Sequence, residues 1–327
     1  MNSTPESRMK RKQLSSADIS GYNPDIETFK RSVNLENLRK GTLHSYLSYL
    51  RIFSAWLVLY CGMVPFAQVT VEQVRAFVEF LKNDLLLAPN TINGYLASVR
   101  KMFHCIRDEE LSKRVIPDLA VDEHLPRVPS AEHVLKMLKA CLTVKERLII
   151  GLLITTGVRI VELINLKFSD IRTETKQIYI SADTKGRADG YVPLSSNVVK
   201  LLTAYCREYN AEHPGASLRP DDYIFFNPDR SGHESSYQIR KQFIQVQLRA
   251  GLEEESYRPH AMRHYFALQI YLQSHDLFLV KRLLRHKTLS ATLKYLVMAT
   301  SIDIQEQYLN PGDLAFDKLD MEEGANS

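Results

Sequence analysis

Residues 258–295 read RPHAMRHYFALQIYLQSHDLFLVKRLLRHKTLSATLKY, and this stretch decides the fold. Phe266, Leu268, Ile270, Tyr271 and Leu272 recur at close to helical spacing. Pro259 suits the first turn, because its φ is already helical and its missing donor would be orphaned there anyway. A first helix therefore carries His260 and Arg263 three apart on one face. A second, from about Asp276, turns Phe278, Leu279, Leu283 and Leu284 inward and ends near Arg285 and His286. A third, capped by Thr288 or Ser290, presents Tyr295 in its middle or last turn.

Upstream, Leu148 to Ile154 is apolar at nearly every position, so that helix is buried on most sides. Thr143-Val144-Lys145-Glu146 before it reads as a capping box, and Thr156-Gly157-Val158-Arg159 follows. Arg159 is thus a charge held beside a core. Gln177–Ser181 and Tyr191–Leu194 flank a glycine-containing turn with Lys185 at its tip, the one clear hairpin. Helices resume near Asn197–Tyr209 and Tyr237–Arg249. Ser130 caps another through Val134, Leu135, Leu138 and Cys141.

The N-terminal third is helical by pattern. One helix runs from Thr42 to Gly62, a second opens on the capping box Thr70-Val71-Glu72-Gln73, and a third carries Ile92, Tyr95, Leu96, Val99, Phe103 and Ile106 inward. The expected organisation is a flexible basic lead (1–30), a helical bundle (31–116), a linker with three prolines (117–129), a second domain (130–300) and a C-terminal tail (301–327). The class is mainly α with a small β-hairpin or sheet.

With 327 residues and 45% hydrophobic content, two packed domains are expected. No apolar run reaches transmembrane length, and the polar start is not a secretory signal, which predicts a cytoplasmic protein. Four separated cysteines without a C-x-x-C pair argue against zinc or a disulfide framework. A net charge of +4 does not by itself identify a nucleic-acid binder. The cluster Arg8, Lys10, Arg11 and Lys12 is either a phosphate-contacting arm or a solvated end.

Taken together, TGVRIVEL around Arg159, Lys185 in its hairpin, HAMRH at His260 and Arg263, His286, and Tyr295 nine residues later resemble the tyrosine recombinases, the phage integrase family. The one departure is Leu284-Arg285-His286 where the family has Leu-Gly-His. The resemblance implies an N-terminal helical core-binding domain and a mixed α/β catalytic domain. It implies double-stranded DNA with inverted-repeat half-sites as partner, a homotetramer on DNA, and accessory proteins in some members. It also implies a tail that docks on a neighbouring protomer. Arg100, Lys101 and Arg187 are candidate DNA contacts, with ordinary solvated charge as the alternative for the first two.

The residue types suit phosphodiester chemistry. Negative charge grows on the non-bridging oxygens in the transition state, and Arg159 and Arg263 offer planar forks that stay charged. No D-x-D or H-E-x-x-H pattern suggests a metal, and no cofactor is expected. By resemblance Tyr295 attacks phosphorus to form a 3′-phosphotyrosyl link, and His286 binds the phosphate and braces the tyrosine helix. His260 is a plausible base, and Lys185 can protonate the leaving 5′-oxygen. A recombinase of a mobile element is the expected function. A Xer-like dimer-resolution enzyme, a type IB topoisomerase, a telomere resolvase and a catalytically silent DNA-binding protein are the alternatives.

Overall fold

A computed structural model describes residues 4–35, 40–107, 110–121, 125–181, 189–213 and 218–307. Lys185, Arg187 and the tail from residue 308 lie outside them. The chain divides into two compact units, Met1–Glu123 and His124–Ser327.

In the first unit the described residues form helices α1 (Pro5–Ser16), α2 (Asn23–Leu35), α3 (Lys40–Cys61), α4 (Val71–Glu79) and α5 (Pro89–Arg107). Phe29, Leu50, Phe53, Trp56, Phe66, Phe77, Leu96 and Phe103 fill the space between them. The Phe53 and Trp56 rings lie 4.9 and 5.3 Å from that of Phe77. Thr70 and Gln73 close the expected capping box, and Gly62 follows α3 at φ +75°.

The flexible lead is corrected here. α1 starts on a Thr4 cap with Pro5 in its first turn, and Leu14, Tyr22, Ile26 and Phe29 are buried in the bundle. α1 has too few apolar residues to show a period, so polar anchors do much of the holding. Lys10 Nζ lies 2.6 Å from the Asp84 carboxylate, and Arg11 donates to the Leu85 carbonyl at 3.0 Å. Those two cations of the basic cluster are therefore engaged with the protein itself. The proposed start of the bundle at residue 31 falls inside α2.

In the second unit come α6 (Ala131–Lys139), α7 (Val144–Thr156) and α8 (Ile160–Ile164). Strands β1 (Ile171–Arg172), β2 (Gln177–Ile180) and β3 (Gly190–Pro193) follow, then α9 (Ser196–Glu212), α10 (Ser236–Arg249), α11 (Pro259–Ser274), α12 (Leu277–Leu284) and α13 (Ser290–Gln307). The strands form one antiparallel sheet in the order β1-β2-β3, with Ile178 opposite Val192 and both buried. The expected hairpin thus gains a third, two-residue strand. α7 is buried on nearly every side, as its continuous apolar run requires, and packs against α9 and α11. Thr143 caps it through the Glu146 amide at 3.1 Å, but the Glu146 carboxylate turns instead to the Leu142 amide and Arg249.

Three local readings change. α12 starts at Leu277 because Asp276 caps it, accepting from the Phe278 and Leu279 amides at 2.7 and 3.1 Å. Val280 and Leu284, one helical turn apart, are therefore its buried residues, and Phe278 faces outward at 70% exposure. Neither Thr288 nor Ser290 caps α13; their hydroxyls bond each other at 3.1 Å. α13 also runs to Gln307, so Tyr295 stands in its second turn and the boundary placed at residue 300 falls inside this helix.

Gly157 is the pivot of the unit. It ends α7 in the left-handed region at φ +59°, and a Cβ there would lie 2.4 Å from Phe266 Cδ1 and 3.0 Å from Leu284 Cδ2. Strain and overpacking therefore act together. Gly157→Ala is expected to destabilise this unit by about 2–4 kcal/mol. A thermal melt within a degree of wild type would contradict that.

Candidate active site

Glu162 is the hub around which the basic residues gather. The left-handed Gly157 turns the chain so that Arg159 precedes α8, and the Arg159 amide donates to Glu162 Oε2 at 2.9 Å. Its guanidinium holds Glu162 Oε1 at 2.7 Å while keeping 21% of its side chain exposed. Arg285, from the turn after α12, reaches Glu162 Oε2 at 2.7 Å. Arg263 Nη1, from α11, stands 3.9 Å from the same carboxylate. Burial alone would raise the Glu162 pKa; Arg285, the Arg159 amide and guanidinium, and Arg263 overcome it and hold the carboxyl below its ordinary value. Three guanidiniums around one carboxylate leave an excess of positive charge.

Arg263 is 1% exposed and donates to two carbonyls, Gly157 at the end of α7 and Leu284 at the end of α12. Both are helix C-termini, where free carbonyls and the dipole favour a cation. Burial and the Arg159 charge lower its pKa to about 9, so it remains a cation at neutral pH.

Tyr295 is fully buried, and its hydroxyl hydrogen-bonds His264 Nδ1 at 2.9 Å. Burial raises the phenol to about 12 against the pull of Arg263 and Arg159. The His260 ring meets that of His264 edge to face at 4.6 Å. His286 Nδ1 pairs with the buried Thr292 hydroxyl at 2.9 Å, which joins the turn after α12 to α13. Lys294 sits half-buried with Nζ 5.2 Å from the Tyr295 ring centre, its pKa lowered by burial and then by Arg263 and Arg159.

Burial, followed by the surrounding cations, pushes His264 and His286 down to about 3. His260 is exposed on one side, so water offsets part of its desolvation, but Arg263, Lys294 and Arg159 act in the same downward direction. All three are neutral at pH 7.

The sign of the resulting pH dependence follows. Below about pH 6.5 the unfolded chain takes up protons that the folded His264 and His286 refuse, so stability is complete above that pH and lost as pH falls toward 3. The slope reaches about 1.4 kcal/mol per pH unit for each buried histidine. Thermal melts should show a lower midpoint at pH 5 than at pH 7.5, and a curve that stays flat over that window contradicts it.

The structure thus brings Arg159, His260, Arg263, His286 and Tyr295 together. The candidate DNA contacts Arg100 and Lys101 lie apart from this group in sequence and in fold unit. In the first unit Arg100 pairs with Asp118 at 2.6 Å and donates to the Ile116 carbonyl at 2.6 Å, which braces the segment after α5. Lys101 is half-buried beside Arg100, in the lining of a cavity of about 520 Å³. Among the described residues, no group of three His, Cys, Asp or Glu side chains is placed to hold a metal, and no helix is long and apolar enough to cross a membrane.

Sequence reasoning missed His264, Lys294 and the hub role of Glu162. His264 follows His260 by four residues and so shares its helix face, a signal that was available.

Residues 128–301 match the profile of the phage integrase family, and residues 26–113 match that of the phage integrase N-terminal SAM-like domain. The chain belongs to the phage integrase family, the tyrosine recombinases. A putative integrase/recombinase, y4qK, of Sinorhizobium fredii is 28% identical over 265 residues, covering 81% of this chain and 82% of that protein. The tyrosine recombinase XerC of Oceanobacillus iheyensis is 26% identical over 298 residues, covering 87% and 94%. Among solved structures, the XerH site-specific recombinase bound to a palindromic difH substrate aligns with a TM-score of 0.65 at 20% identity, covering 92% of this chain and 95% of that one. The Tn1549 transposon integrase in complex with transposon right end DNA aligns at 0.63 with 16% identity, covering 87% and 99%. These structures share the fold.

Proposed function

We propose that this recombinase cleaves and rejoins double-stranded DNA at inverted-repeat half-sites of a mobile element, as a homotetramer, through a 3′-phosphotyrosyl bond on Tyr295. What supports this most is that two guanidiniums, Arg159 and Arg263, gather on Glu162 beside Tyr295 and three neutral imidazoles. The guanidiniums stabilise the charge that grows on the phosphate oxygens. His260 and His286 supply hydrogen bonds to the same oxygens. The phenol must shed its proton as it attacks, and the base nearest to it is His264, already on its oxygen at 2.9 Å. Lys185 protonates the leaving 5′-oxygen. The phosphotyrosine conserves the energy of the broken bond, so a 5′-hydroxyl of another strand reverses the step without ATP. Relatives named integrase/recombinase fit the mobile-element role, and relatives named XerC and XerD fit Xer-like dimer resolution.

The test is to mix the full chain with sheared DNA of the replicon that encodes it, quench in denaturant and sequence the DNA that stays covalently attached. Adducts through a 3′-phosphate at one recurrent junction, flanked by inverted repeats, are expected. Bound DNA with no denaturant-resistant adduct would favour a silent DNA-binding protein.

A further inference from the structure

Arg285 occupies a backbone position that suits glycine. It follows the last residue of α12 at φ +55°, ψ 40°, while the Arg285 amide bonds the Arg282 carbonyl and the His286 amide the Lys281 carbonyl, both at 3.0 Å. Glycine meets no steric penalty there, and a side chain with Cβ does. The side chain present is not left in solvent. It is 5% exposed, donates to the Leu283 carbonyl at 2.9 Å and reaches across the fold to Glu162 Oε2 at 2.7 Å. A disfavoured residue at a turn, whose charge is buried against one carboxylate of the site, is placed for that carboxylate.

The effect on the site follows from how the Glu162 oxygens are divided. Oε1 faces Arg159 at 2.7 Å, and Oε2 takes the Arg159 amide at 2.9 Å and Arg285 at 2.7 Å. Arg263 stays outside hydrogen-bond range at 3.9 Å, its donors on Gly157 and Leu284. Without Arg285, the buried Glu162 Oε2 would lose a cation at 2.7 Å and would draw Arg263 in from 3.9 Å. We propose that Arg285 is a positioning residue for strand cleavage: it occupies Glu162 Oε2 and so keeps the charge of Arg159 and Arg263 available to the scissile phosphate. This rests on the recombinase reading above. Arg285 touches no reacting atom and acts through Glu162.

The experiment compares wild type with Arg285→Gly, Glu162→Gln and the double variant, on a nicked suicide substrate of the trapped junction. Half-site affinity and the single-turnover rate of adduct formation are measured separately. Arg285→Gly, which relieves the turn, should keep wild-type half-site affinity within a few-fold and cleave about ten- to a hundredfold more slowly, less than the loss of a direct oxyanion donor. If that variant does not fold, Arg285→Asn, which also tolerates the left-handed backbone, takes its place. The double variant should be no slower than the slower single one, because both changes act on one interaction. A wild-type rate in Arg285→Gly, or losses that multiply in the double variant, overturns the proposal. If wild type itself forms no adduct, the recombinase reading fails and the inference falls with it.

Discussion

Replacing Tyr295 by phenylalanine is expected to abolish covalent attachment to DNA and leave half-site binding nearly intact. The ring is fully buried among Phe266, Val280, Leu284 and Met298, and phenylalanine keeps that packing. What disappears is the phenolic oxygen and its hydrogen bond to His264 Nδ1. Folding should lose about 1–3 kcal/mol, because the buried His264 Nδ1 is left without its partner. On a substrate nicked near the cleavage point, wild type should form an adduct that resists denaturant and the variant none. Equal adduct yield would remove Tyr295 from the chemistry.

The second large effect separates the phosphate clamp from the acid. Arg159→Ala should slow cleavage by about 10²–10³-fold, or about 3–4 kcal/mol, the range for losing a preorganised donor to a developing oxyanion. Arg263→Ala is the less informative change. It also leaves the buried Gly157 and Leu284 carbonyls without their donor, each costing about 1–3 kcal/mol of folding. Lys185→Ala should behave differently. A bridging 5′-phosphorothiolate leaves with little need of a proton, so it should rescue Lys185→Ala and not Arg159→Ala. The opposite pattern would exchange the two roles.

Much of this was legible in the sequence because it is local. The α7 run, the Thr70 capping box, Pro259 at the start of α11 and the His260–Arg263 spacing each report on a few neighbouring residues. The Glu162 hub was not legible in that way. Its partner Arg285 lies 123 residues further along the chain, and no periodicity links a carboxylate on a five-residue helix to a turn that distant. Arg285 stood out only as a missing glycine, a backbone anomaly, and its meaning lay in where the side chain went. The lead failed for another reason: α1 is held largely by Lys10 and Arg11, and charged anchors leave no hydrophobic period to read.

The bonds of Arg263 to the ends of α7 and α12 bear on how activity can be judged in related chains. A descendant that stopped cutting DNA would still need this guanidinium, because losing it unties two helix ends inside the core. Retention of Arg263 therefore testifies to an intact fold as much as to a working enzyme. Arg159 is free of that double duty: it keeps a fifth of its side chain in solvent and holds a carboxylate that Arg285 also neutralises. Losing Arg159 would strip a cation from the buried Glu162 but would untie no helix end, so its presence is the more discriminating sign of selection for chemistry.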